Sequence, residues 1–429
     1  MDILVVGGGG REHAIIKSIK KSPLCKKIYC LPGNGGIQKD AECVDINVKD
    51  IESIKDFAVS KKIDFAVVAP DDPLVMGAVD VIEDAGIPCF GPRKNAAVIE
   101  GSKVFSKWLM QKYDIPTAKH AIFENVEDAI SYIDRINSYP IVIKADGLAL
   151  GKGVIIAENF DEAKKATEDI MLRGAFGESG KKVVIEEYLT GPEVSVLAFT
   201  DGKTIIPMVS SMDHKRALDG DRGLNTGGMG TIAPNPYFTK EIADECMHKI
   251  FLRTMNAMNR EGRTFKGCLY FGLMLTEKGP KVIEYNCRFG DPEAQVVLPL
   301  LKSDLLKIMI AVSKGELSES LVRFSEGSAC CVILASGGYP AHYEKGRKIS
   351  FGDIKESDDL VIYHSGTKAG ADDVLYTNGG RVLGVTAVGN SLFQAVRKAY
   401  DSVDKISFDG CFYRHDIGKK ALESISVKE

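Results

Sequence analysis

Short apolar segments alternate with amphipathic ones through the first hundred residues, and this alternation limits the folds that are open to the chain. The apolar runs lie at 3–6, 28–31, 65–69 and 88–90, and helical patterns begin at 11 and lie around 51–60 and 73–85. Strands and helices that alternate at this spacing predict a doubly wound parallel α/β sheet. In such sheets ligands bind at the carboxyl ends of the strands. We therefore expect binding at the loops 7–11, 32–36 and 70–73, which fall at that edge.

The first of these loops is a run of four glycines, Gly7 to Gly10. It is not a dinucleotide fingerprint, because Glu12 stands where the third glycine belongs and the second strand ends at Leu31 with no acid for a ribose hydroxyl. Glycines before a helix expose backbone N–H groups at the positive end of the helix dipole, which suits a phosphate. A tight turn that needs only backbone freedom is the alternative.

Composition excludes several classes of function. The chain has 429 residues, enough for roughly three domains, and a net charge of −4 that gives no indication of a nucleic-acid or membrane partner. No apolar run approaches the roughly 20 residues that span a bilayer. The ten cysteines show no Cys-x-x-Cys spacing and the seven histidines no metal-ligand spacing, which favours free thiols in a reducing compartment. We expect a cytoplasmic protein without a targeting segment.

A glycine-rich loop with two lysines lies in the second quarter of the chain. Lys144 ends an apolar run, and Lys152 stands between Gly151 and Gly153. The loop is not a P-loop, because only three residues separate Gly147 from Gly151 and no Ser or Thr follows Lys152. A lid with two lysines can close over a triphosphate and exclude water. Alone, such a segment is more often an ordinary turn.

The segment 185–193 is an apolar strand that ends in two acids and turns at Gly191-Pro192. Its backbone groups could read a base edge while Glu193 binds ribose hydroxyls. A solvated acidic turn explains the same residues, and on this segment alone it is the favoured interpretation.

A second strand pattern ends in Glu284, Tyr285 and Asn286. Since side chains alternate along a strand, Glu284 and Asn286 should share one face, with Ile283 and Tyr285 on the other. A carboxylate beside an amide carbonyl suits a hard cation such as Mg²⁺. Arg288, two residues on, can hold a carboxylate or a phosphate by its planar fork. An edge strand with solvated polar groups is the alternative for the pair alone.

The rest of the chain carries weaker signals. The segments 213–216 and 225–230 are polar or glycine-rich, 240–259 has the periodicity of an amphipathic helix, and 268–275 with 281–286 predict a hairpin. Short strand patterns follow beyond about 325 and predict a small mixed domain.

Several motifs occur together in a fixed order. They are Gly9-Gly-Arg-Glu-His-Ala14, Gly101-Ser-Lys103, Ile143-Lys-Ala-Asp-Gly-Leu148, Gly151-Lys-Gly153, Ile185-Glu-Glu187, Asp213-His-Lys-Arg216, Asn225-Thr-Gly-Gly-Met-Gly230 and Asn286-Cys-Arg-Phe-Gly-Asp-Pro-Glu293. This set closely resembles the glycinamide ribonucleotide synthetases, a family of ATP-grasp ligases, and the likeness runs nearly end to end.

The resemblance implies a pre-ATP-grasp α/β domain at 1–101, an ATP-grasp part at 102–190 with a mobile lid at about 118–186, a catalytic part at 191–325 and a mixed α/β domain at 326–429. It implies that ATP phosphorylates glycine and that the amine of 5-phosphoribosylamine displaces the phosphate, with Mg²⁺ or Mn²⁺ as cofactor. A monomer is expected, with a dimer as the alternative, and all partners are small molecules.

The resemblance also implies roles for individual residues. Those implied for ATP are Lys103, Lys144, Gly151, Lys152, Gly153, Glu186, Glu187, Tyr188, Leu189 and Glu193. The metal would be held by Glu284 and Asn286. The catalytic residues would be Asp213, Lys215 and Arg288. The other substrate contacts would be Gly9, Gly10, Arg11, Glu12, Asp71, Pro73, Asn225, Thr226, Gly227, Gly228 and Asp291.

Two positions depart from the family pattern. Asp71 stands where the family usually has a glutamate, and the run 271–275 beside the metal pair supplies no second acid. Another ATP-grasp carboxylate–amine ligase and a nucleotide-binding regulator without turnover remain as alternatives. The motif at 9–14 argues against the first, and the presence of Glu284, Asn286 and Arg288 argues against the second.

Overall fold

The computed structural model describes residues 1–148, 153–173, 177–371 and 374–426. The first strands are β1 Asp2–Gly7, β2 Lys27–Pro32, β3 Glu42–Cys43, β4 Phe65–Val68 and β5 Cys89–Phe90. The helices among and after them are α1 Gly10–Ile19, α2 Ile51–Ser60, α3 Asp71–Met76, α4 Ala78–Asp84, α5 Lys94–Gly101 and α6 Lys103–Lys112. The strands form one parallel sheet in the order β3-β2-β1-β4-β5, which confirms the predicted fold class.

Two predictions in this part are wrong in detail. The predicted loop 70–73 is the start of helix α3, and the predicted helix 73–85 is divided into α3 and α4. The division falls at Gly77, whose φ of +102° lies in the left-handed region that favours glycine.

The lid is a small α/β unit with its own core. Its elements are β6 His120–Phe123, α7 Val126–Ile136, β7 Ile141–Ala145, β8 Val154–Ala157, α8 Phe160–Met171 and β9 Val183–Glu187. The strands form an antiparallel sheet in the order β6-β9-β7-β8. The apolar side chains of its helices pack on one face of this sheet, among them Ala129, Ile133 and Ala163 against Ile143 and Ile185.

The next segment provides a second antiparallel sheet. Its elements are β10 Glu193–Thr200, β11 Ile205–Pro207, β12 Met212–Asp213, β13 Arg216–Leu218, β14 Arg222–Asn225, β15 Gly230–Ala233, α9 Lys240–Cys246, α10 Leu252–Arg260, β16 Gly267–Thr276, β17 Gly279–Asn286, α11 Ala294–Leu300 and α12 Leu305–Lys314. The sheet order is β11-β10-β16-β17, with the predicted hairpin formed by β16 and β17. The predicted helix 240–259 forms as α9 and α10, joined by a π-helical turn at Met247–Phe251.

The last segment completes a third sheet. Its elements are β18 Ser328–Ser336, β19 Leu360–His364, β20 Thr367–Ala369, β21 Leu375–Thr377, β22 Arg381–Gly389, α13 Leu392–Val403, β23 Cys411–Phe412 and α14 Lys419–Ser426. The sheet order is β12-β15-β18-β22-β19, with β23 paired to β18. Two strands from before residue 326 therefore belong to this sheet. Within the described ranges, no helix combines the length and the apolar character that crossing a bilayer requires.

Strand β17 contains an irregularity that changes the predicted faces. Glu284 pairs with Gly272, but Leu273 pairs with Val282, so Ile283 is an extra residue in the ladder. As a result Val282, and not Ile283, joins Tyr285 in the hydrophobic core. The prediction that Ile283 and Tyr285 share one face is wrong, because strict alternation holds only in a regular strand.

Candidate active site

Glu284 lies at the centre of a group of four cations. Its side chain makes no hydrogen bond or ion pair with any described residue, and the facing residue Gly272 leaves room for this side chain. Burial alone would raise the pKa of this carboxyl, but the positive charges of Lys215, Lys144, Lys103 and Arg288 outweigh burial and lower the pKa. Glu284 is therefore an ionised carboxylate whose oxygens are not used by the protein.

Arg288 is fixed beside Asn286 by a buried acid. Its Nη2 lies 3.0 Å from Oε1 of Glu100 and donates to Oδ1 of Asn286 at 3.1 Å. The other oxygen of Glu100 accepts from the backbone N–H of Cys287 at 2.7 Å. Burial would lower the pKa of Arg288, but Glu100 and Asp71 outweigh it, so the guanidinium stays charged. Glu100, at the end of α5, was not predicted.

Lys103 begins helix α6 and reaches the glycine-rich loop of the lid. Its Nζ donates to the carbonyl of Gly147 at 2.6 Å. Ser102 caps the helix and also donates to Asp146 at 3.0 Å. Burial lowers the pKa of Lys103, although Glu284 opposes the shift. Gly151 and Lys152 lie outside the described residues. Gly153 is buried, and its carbonyl accepts from Ala145 N–H at 2.8 Å.

The first acid at the end of β9 points inward and pairs with two lysines. Oε1 of Glu186 lies 3.1 Å from Nζ of Lys144, and its Oε2 lies 3.1 Å from Nζ of Lys107. Glu187 instead faces outward and accepts from Lys281 Nζ at 2.7 Å. The chain then turns through Tyr188, which is 43% exposed, and the half-buried Leu189.

Two loops bring further predicted residues to the same face. Lys215 lies 2.8 Å from Glu193, and Thr226 donates its N–H to the carbonyl of Lys215 at 2.8 Å. Burial would lower the pKa of Lys215, but Glu193 and Glu284 outweigh it, and the pKa lies well above its ordinary value. Burial and the neighbouring Glu293 raise the pKa of Asp213 well above its ordinary value.

The glycines of the second loop allow close packing. Gly227 N–H donates to the Tyr339 hydroxyl at 3.0 Å, and Gly228 N–H donates to Thr226 Oγ1 at 3.0 Å. Gly228 has a φ of +109° and lies against Asp213, so a larger residue does not fit there. Asn225, at the end of β14, is exposed.

The glycine run of the first domain borders a cavity of about 370 Å³. Gly9 lines the cavity, and Gly10 begins helix α1 beside it. Glu12 is buried and accepts from Gly9 N–H at 2.6 Å, while Arg11 donates to the Ala69 carbonyl at 3.2 Å. These contacts hold the helix N-terminus toward the open space.

Asp71, in the first turn of helix α3, lies near Arg11 of helix α1 and near Arg288, which follows β17. Burial would raise the pKa of Asp71, but Arg288 and Arg11 outweigh it and lower the pKa. Pro73 is buried in the first turn of the same helix. Asp71 is therefore an ionised acid close to two positive charges, those of Arg11 and Arg288.

The opposite wall of the cavity comes from the last segment. Arg381 donates to the carbonyls of Gly227 and Asp291, at 2.6 Å each, and its Nη2 lies 3.3 Å from Oδ2 of Asp291. Oδ1 of Asp291 accepts from Gln295 at 2.7 Å. Arg381 thus connects the 225–230 loop to the turn after β17, and it was not predicted as a site residue.

The donor set at Glu284 and Asn286 fits a hard divalent cation. Both supply oxygen, and the ionised carboxylate has no competing partner in the protein. No cluster of three His, Cys, Asp or Glu side chains with metal-binding geometry occurs within the described residues. A cation held here would complete its shell with nucleotide oxygens and water, as Mg²⁺ commonly does.

Family models match most of the chain. The N domain of phosphoribosylglycinamide synthetase matches residues 1–100, its ATP-grasp (A) domain matches residues 101–294, and its C domain matches residues 329–420. The chain belongs to the phosphoribosylglycinamide synthetase family. The family predicted from the sequence motifs is therefore confirmed.

Relatives and solved structures agree with this membership. The phosphoribosylamine–glycine ligase of Caldanaerobacter subterraneus subsp. tengcongensis is 48% identical over 97% of this chain and 99% of its own length. That of Escherichia coli O157:H7 is 44% identical over 99% of each. The structure of the Thermotoga maritima phosphoribosylamine–glycine ligase has a TM-score of 0.84 and 33% identity, and covers 97% of this chain and 100% of its own.

A more distant likeness shows the fold alone. The biotin carboxylase domain of the Hydrogenobacter thermophilus 2-oxoglutarate carboxylase, solved with MgADP and bicarbonate, has a TM-score of 0.75 at 18% identity. It covers 96% of this chain and 91% of its own. The two proteins therefore share a fold.

Three charged residues of this family member escaped the sequence interpretation: Glu100, Lys107 and Arg381. Glu100 precedes the Gly101-Ser-Lys103 motif, and Lys107 lies one helical turn after it. That i, i+4 spacing from Lys103 to Lys107 was the available signal for the second lysine. Arg381 follows the glycine pair 379–380, but nothing in the sequence places it against Asp291.

Proposed function

We propose that this chain ligates glycine to 5-phosphoribosylamine at the expense of ATP. ATP transfers its terminal phosphoryl group to the glycine carboxylate, which gives glycyl phosphate and ADP. The amine of phosphoribosylamine then attacks the acyl carbon, phosphate leaves, and the amine loses a proton to form glycinamide ribonucleotide. The single observation that carries the proposal is Glu284, whose ionised carboxylate is unpaired among the described residues and lies among four cations, one of them Lys144 of the lid.

The nucleotide is assigned to the cleft between the lid and β17. Lys103 and Lys144 supply positive charge for the phosphates, together with the loop that contains Gly151, Lys152 and Gly153. The turn after β9, from Glu186 to Leu189, takes the adenine, and Glu193 takes the ribose hydroxyls. Lys281 and Lys215 now occupy the oxygens of Glu187 and Glu193, so the ribose must share Glu193 with Lys215 or displace it.

Glu284 and Asn286 would hold Mg²⁺ or Mn²⁺. The cation supplies charge neutralisation at the phosphate oxygens during transfer. The chain's own residues supply position. The Glu100 carboxylate fixes the Arg288 guanidinium, and strand β17 fixes the spacing between Glu284 and Asn286.

Glycine is assigned to the space bordered by Arg288, Lys215 and the 225–228 loop. Arg288 offers its positive charge and its Nε–H, which has no partner among the described residues, to a carboxylate or a transferring phosphoryl group. Because its pKa is raised, Asp213 can hold a proton and hydrogen-bond as an acid, or accept the proton that the attacking amine loses. Asn225, Thr226, Gly227 and Gly228 close the loop around this space.

Phosphoribosylamine is assigned to the 370 Å³ cavity. The N-terminus of α1, with Gly9, Gly10 and Arg11, offers backbone N–H groups and a positive dipole end to the sugar phosphate. Across the cavity stand Asp291 and the polar residues Ser365, Thr367, Asn378 and Arg381. Glu12, Asp71 and Pro73 fix the loops that border the substrate.

The test is the dependence of ADP release on each substrate. We expect release from MgATP only when glycine and phosphoribosylamine are both present, with glycinamide ribonucleotide formed in equal amount. ADP release without glycine would favour another ATP-grasp ligase, and nucleotide binding without turnover would favour a regulator. A crystal structure with a non-hydrolysable ATP analogue and glycine tests the site assignment, since adenosine far from residues 284 and 286 would contradict it.

A further inference from the structure

The lid is joined to the rest of the protein at two crossings, and both lie against the same strand. At the entry, Val282 N–H donates to the carbonyl of Pro116 at 2.8 Å, and Thr117 Oγ1 donates to the carbonyl of Val282 at 2.7 Å. At the exit, Lys281 Nζ donates to Glu187 at 2.7 Å. Both crossings therefore lie against residues 281–282, directly before Glu284.

A buried chain of charges crosses the same junction. Lys107 of helix α6 belongs to the body, and its Nζ donates to Thr117 at 2.7 Å and lies 3.1 Å from Glu186 of the lid. Glu186 pairs in turn with Lys144 of the lid at 3.1 Å, and Lys144 donates back to the body at the Ile283 carbonyl, 3.2 Å away. The chain thus runs from body to lid and returns to β17.

Because these three charged side chains are buried, their pairing depends on the position of the lid. The side chains of Lys107, Glu186 and Lys144 are 3%, 4% and 5% exposed. A buried charge that loses its partner costs several kcal/mol, so the three groups favour the one lid orientation in which all are paired. Each oxygen of Glu186 lies 3.1 Å from a lysine Nζ, so the carboxylate faces Lys144 on one side and Lys107 on the other.

We propose that Lys107 is a positioning residue of the nucleotide site, which holds Lys144 in place through Glu186 and sets the angle at which the lid meets Glu284. The proposal rests on the proposed function only in taking the ligand of the cleft to be a nucleotide. Lys107 touches neither nucleotide nor reacting atoms. Its effect should therefore appear in nucleotide affinity and lid order and leave the handling of glycine unchanged.

Helix α6 offers a matched control. Lys112 is 47% exposed on the same helix and pairs at 2.7 Å with Glu261. Lys112→Met makes the same chemical change as Lys107→Met without touching the lid. The probe is Mg²⁺ with the β,γ-imido analogue of ATP, whose dissociation constant is measured by calorimetry on the full chain.

We expect Lys107→Met to weaken binding of the analogue by about tenfold or more, because Glu186 loses its partner in the body and no longer holds Lys144 in the same position. Hydrogen–deuterium exchange should show that the analogue no longer protects residues 183–187 and 141–145, while the KM for glycine stays within about twofold of wild type. Lys112→Met should behave as wild type. Equal affinity in the two methionine variants, or equal losses for nucleotide and glycine, would overturn the proposal.

A second variant covers the case in which Lys107→Met fails to fold. Thr117→Val removes only the hydroxyl that ties Lys107 to the carbonyl of Val282 and keeps a similar volume. Thr117→Val should also weaken binding of the analogue, but less than Lys107→Met does. Wild-type affinity in Thr117→Val would contradict the proposal. Because analogue binding needs no turnover, the affinity and exchange results stand apart from the ligase assay, which alone decides the proposed function and supplies the KM for glycine.

Discussion

At the scale of single residues, the site depends on the charge of Glu284. We expect Glu284→Ala to abolish turnover while the chain still folds, with a loss of several kcal/mol of transition-state stabilisation. The reason is that Asn286 alone cannot hold a divalent cation against the surrounding lysines. Steady-state ADP release and thermal unfolding measure the two parts. Glu277→Ala, at the exposed turn of the same hairpin, is the control, and full activity in Glu284→Ala would remove the metal assignment.

The ring of His214 is buried between two backbone groups. Its Nδ1 donates to the carbonyl of Gly230 at 3.1 Å, and its Nε2 accepts from Gly418 N–H at 3.2 Å. A protonated ring would direct a second N–H at that donor. Burial, with Arg414 nearby, lowers the pKa of His214 to about 4. The unfolded chain therefore binds the extra proton between pH 6.5 and 4, and the stability contributed by this site falls as pH falls through that window.

The expected size is about 2 kcal/mol between pH 7 and pH 5, from a folded pKa of about 4 against about 6.5 unfolded. Urea unfolding at the two pH values measures it. His214→Gln keeps an acceptor for Gly418 and should reduce the pH dependence by that amount. His248→Gln changes an exposed histidine and should not. An unchanged pH dependence in His214→Gln would show that the ring is not held neutral.

The sequence predicted residues whose role follows from local spacing. Glu284, Asn286 and Arg288 lie within five positions, and a strand pattern was enough to bring them together. Glu100 and Arg381 were missed because each reaches the site through space, from a helix end and from a distant strand. Their partners, Arg288 and Asp291, are ninety or more positions away in the sequence, and no local pattern records such a contact.

At the scale of elements, the closing segment of the chain holds the hairpin β13–β14. Arg414 is 1% exposed, and it pairs with Asp416 at 2.7 Å and with Asp221 of the hairpin at 2.9 Å. It also donates to the carbonyl of Arg216 at 3.1 Å. This hairpin continues directly from Lys215, so Arg414 supports a predicted catalytic lysine from almost two hundred positions away.

We therefore expect Arg414→Gln to destabilise the protein by about 3 kcal/mol and to raise the KM for glycine. The first effect follows from two acids left without their partner, and the second from a loosened loop around Lys215. Chemical unfolding and substrate-varied kinetics measure them. Arg397→Gln on α13, 73% exposed, should change stability by less than about 0.5 kcal/mol. A loss of stability with an unaltered KM for glycine would mean that the hairpin keeps its position unaided.

Strand β17 was predicted from the sequence, but its irregular pairing with β16 was not. Its existence and its hairpin partner followed from pattern, but the extra residue Ile283 did not, because an irregular pairing depends on the register of the partner strand. The irregularity matters for the site. It turns the Ile283 carbonyl toward Lys144 and leaves Glu284 opposite Gly272, the one facing residue without a side chain. A regular strand would have placed the same side chains differently.

For the whole molecule, the hydrophobic cores show which parts of the chain are packed together and which part stands apart. One core joins residues of the first domain, the body and the last domain, among them Ile3, Phe199 and Ile333. The core of the lid, by contrast, contains only residues of the lid, from Ala129 to Ile185. Sequence alternation predicted the separate α/β units, but it could not show which of them share a core, since that depends on contacts between distant segments.

This division predicts that the lid unfolds separately from the rest. Ile143→Ala removes a fully buried side chain from the lid core and should cost the lid about 2–4 kcal/mol. Leu334→Ala makes a comparable change in the last domain. We expect hydrogen–deuterium exchange of Ile143→Ala to rise in residues 129–185 and to stay unchanged in β1 and β18, whereas Leu334→Ala should lower the main unfolding transition. Mg²⁺ with the ATP analogue should restore protection to the Ile143→Ala lid, because the proposed nucleotide site includes residues of both lid and body. If either variant raised exchange equally throughout the chain, lid and body would form one cooperative unit, and closure of the lid could not be independent of the fold that carries Glu284.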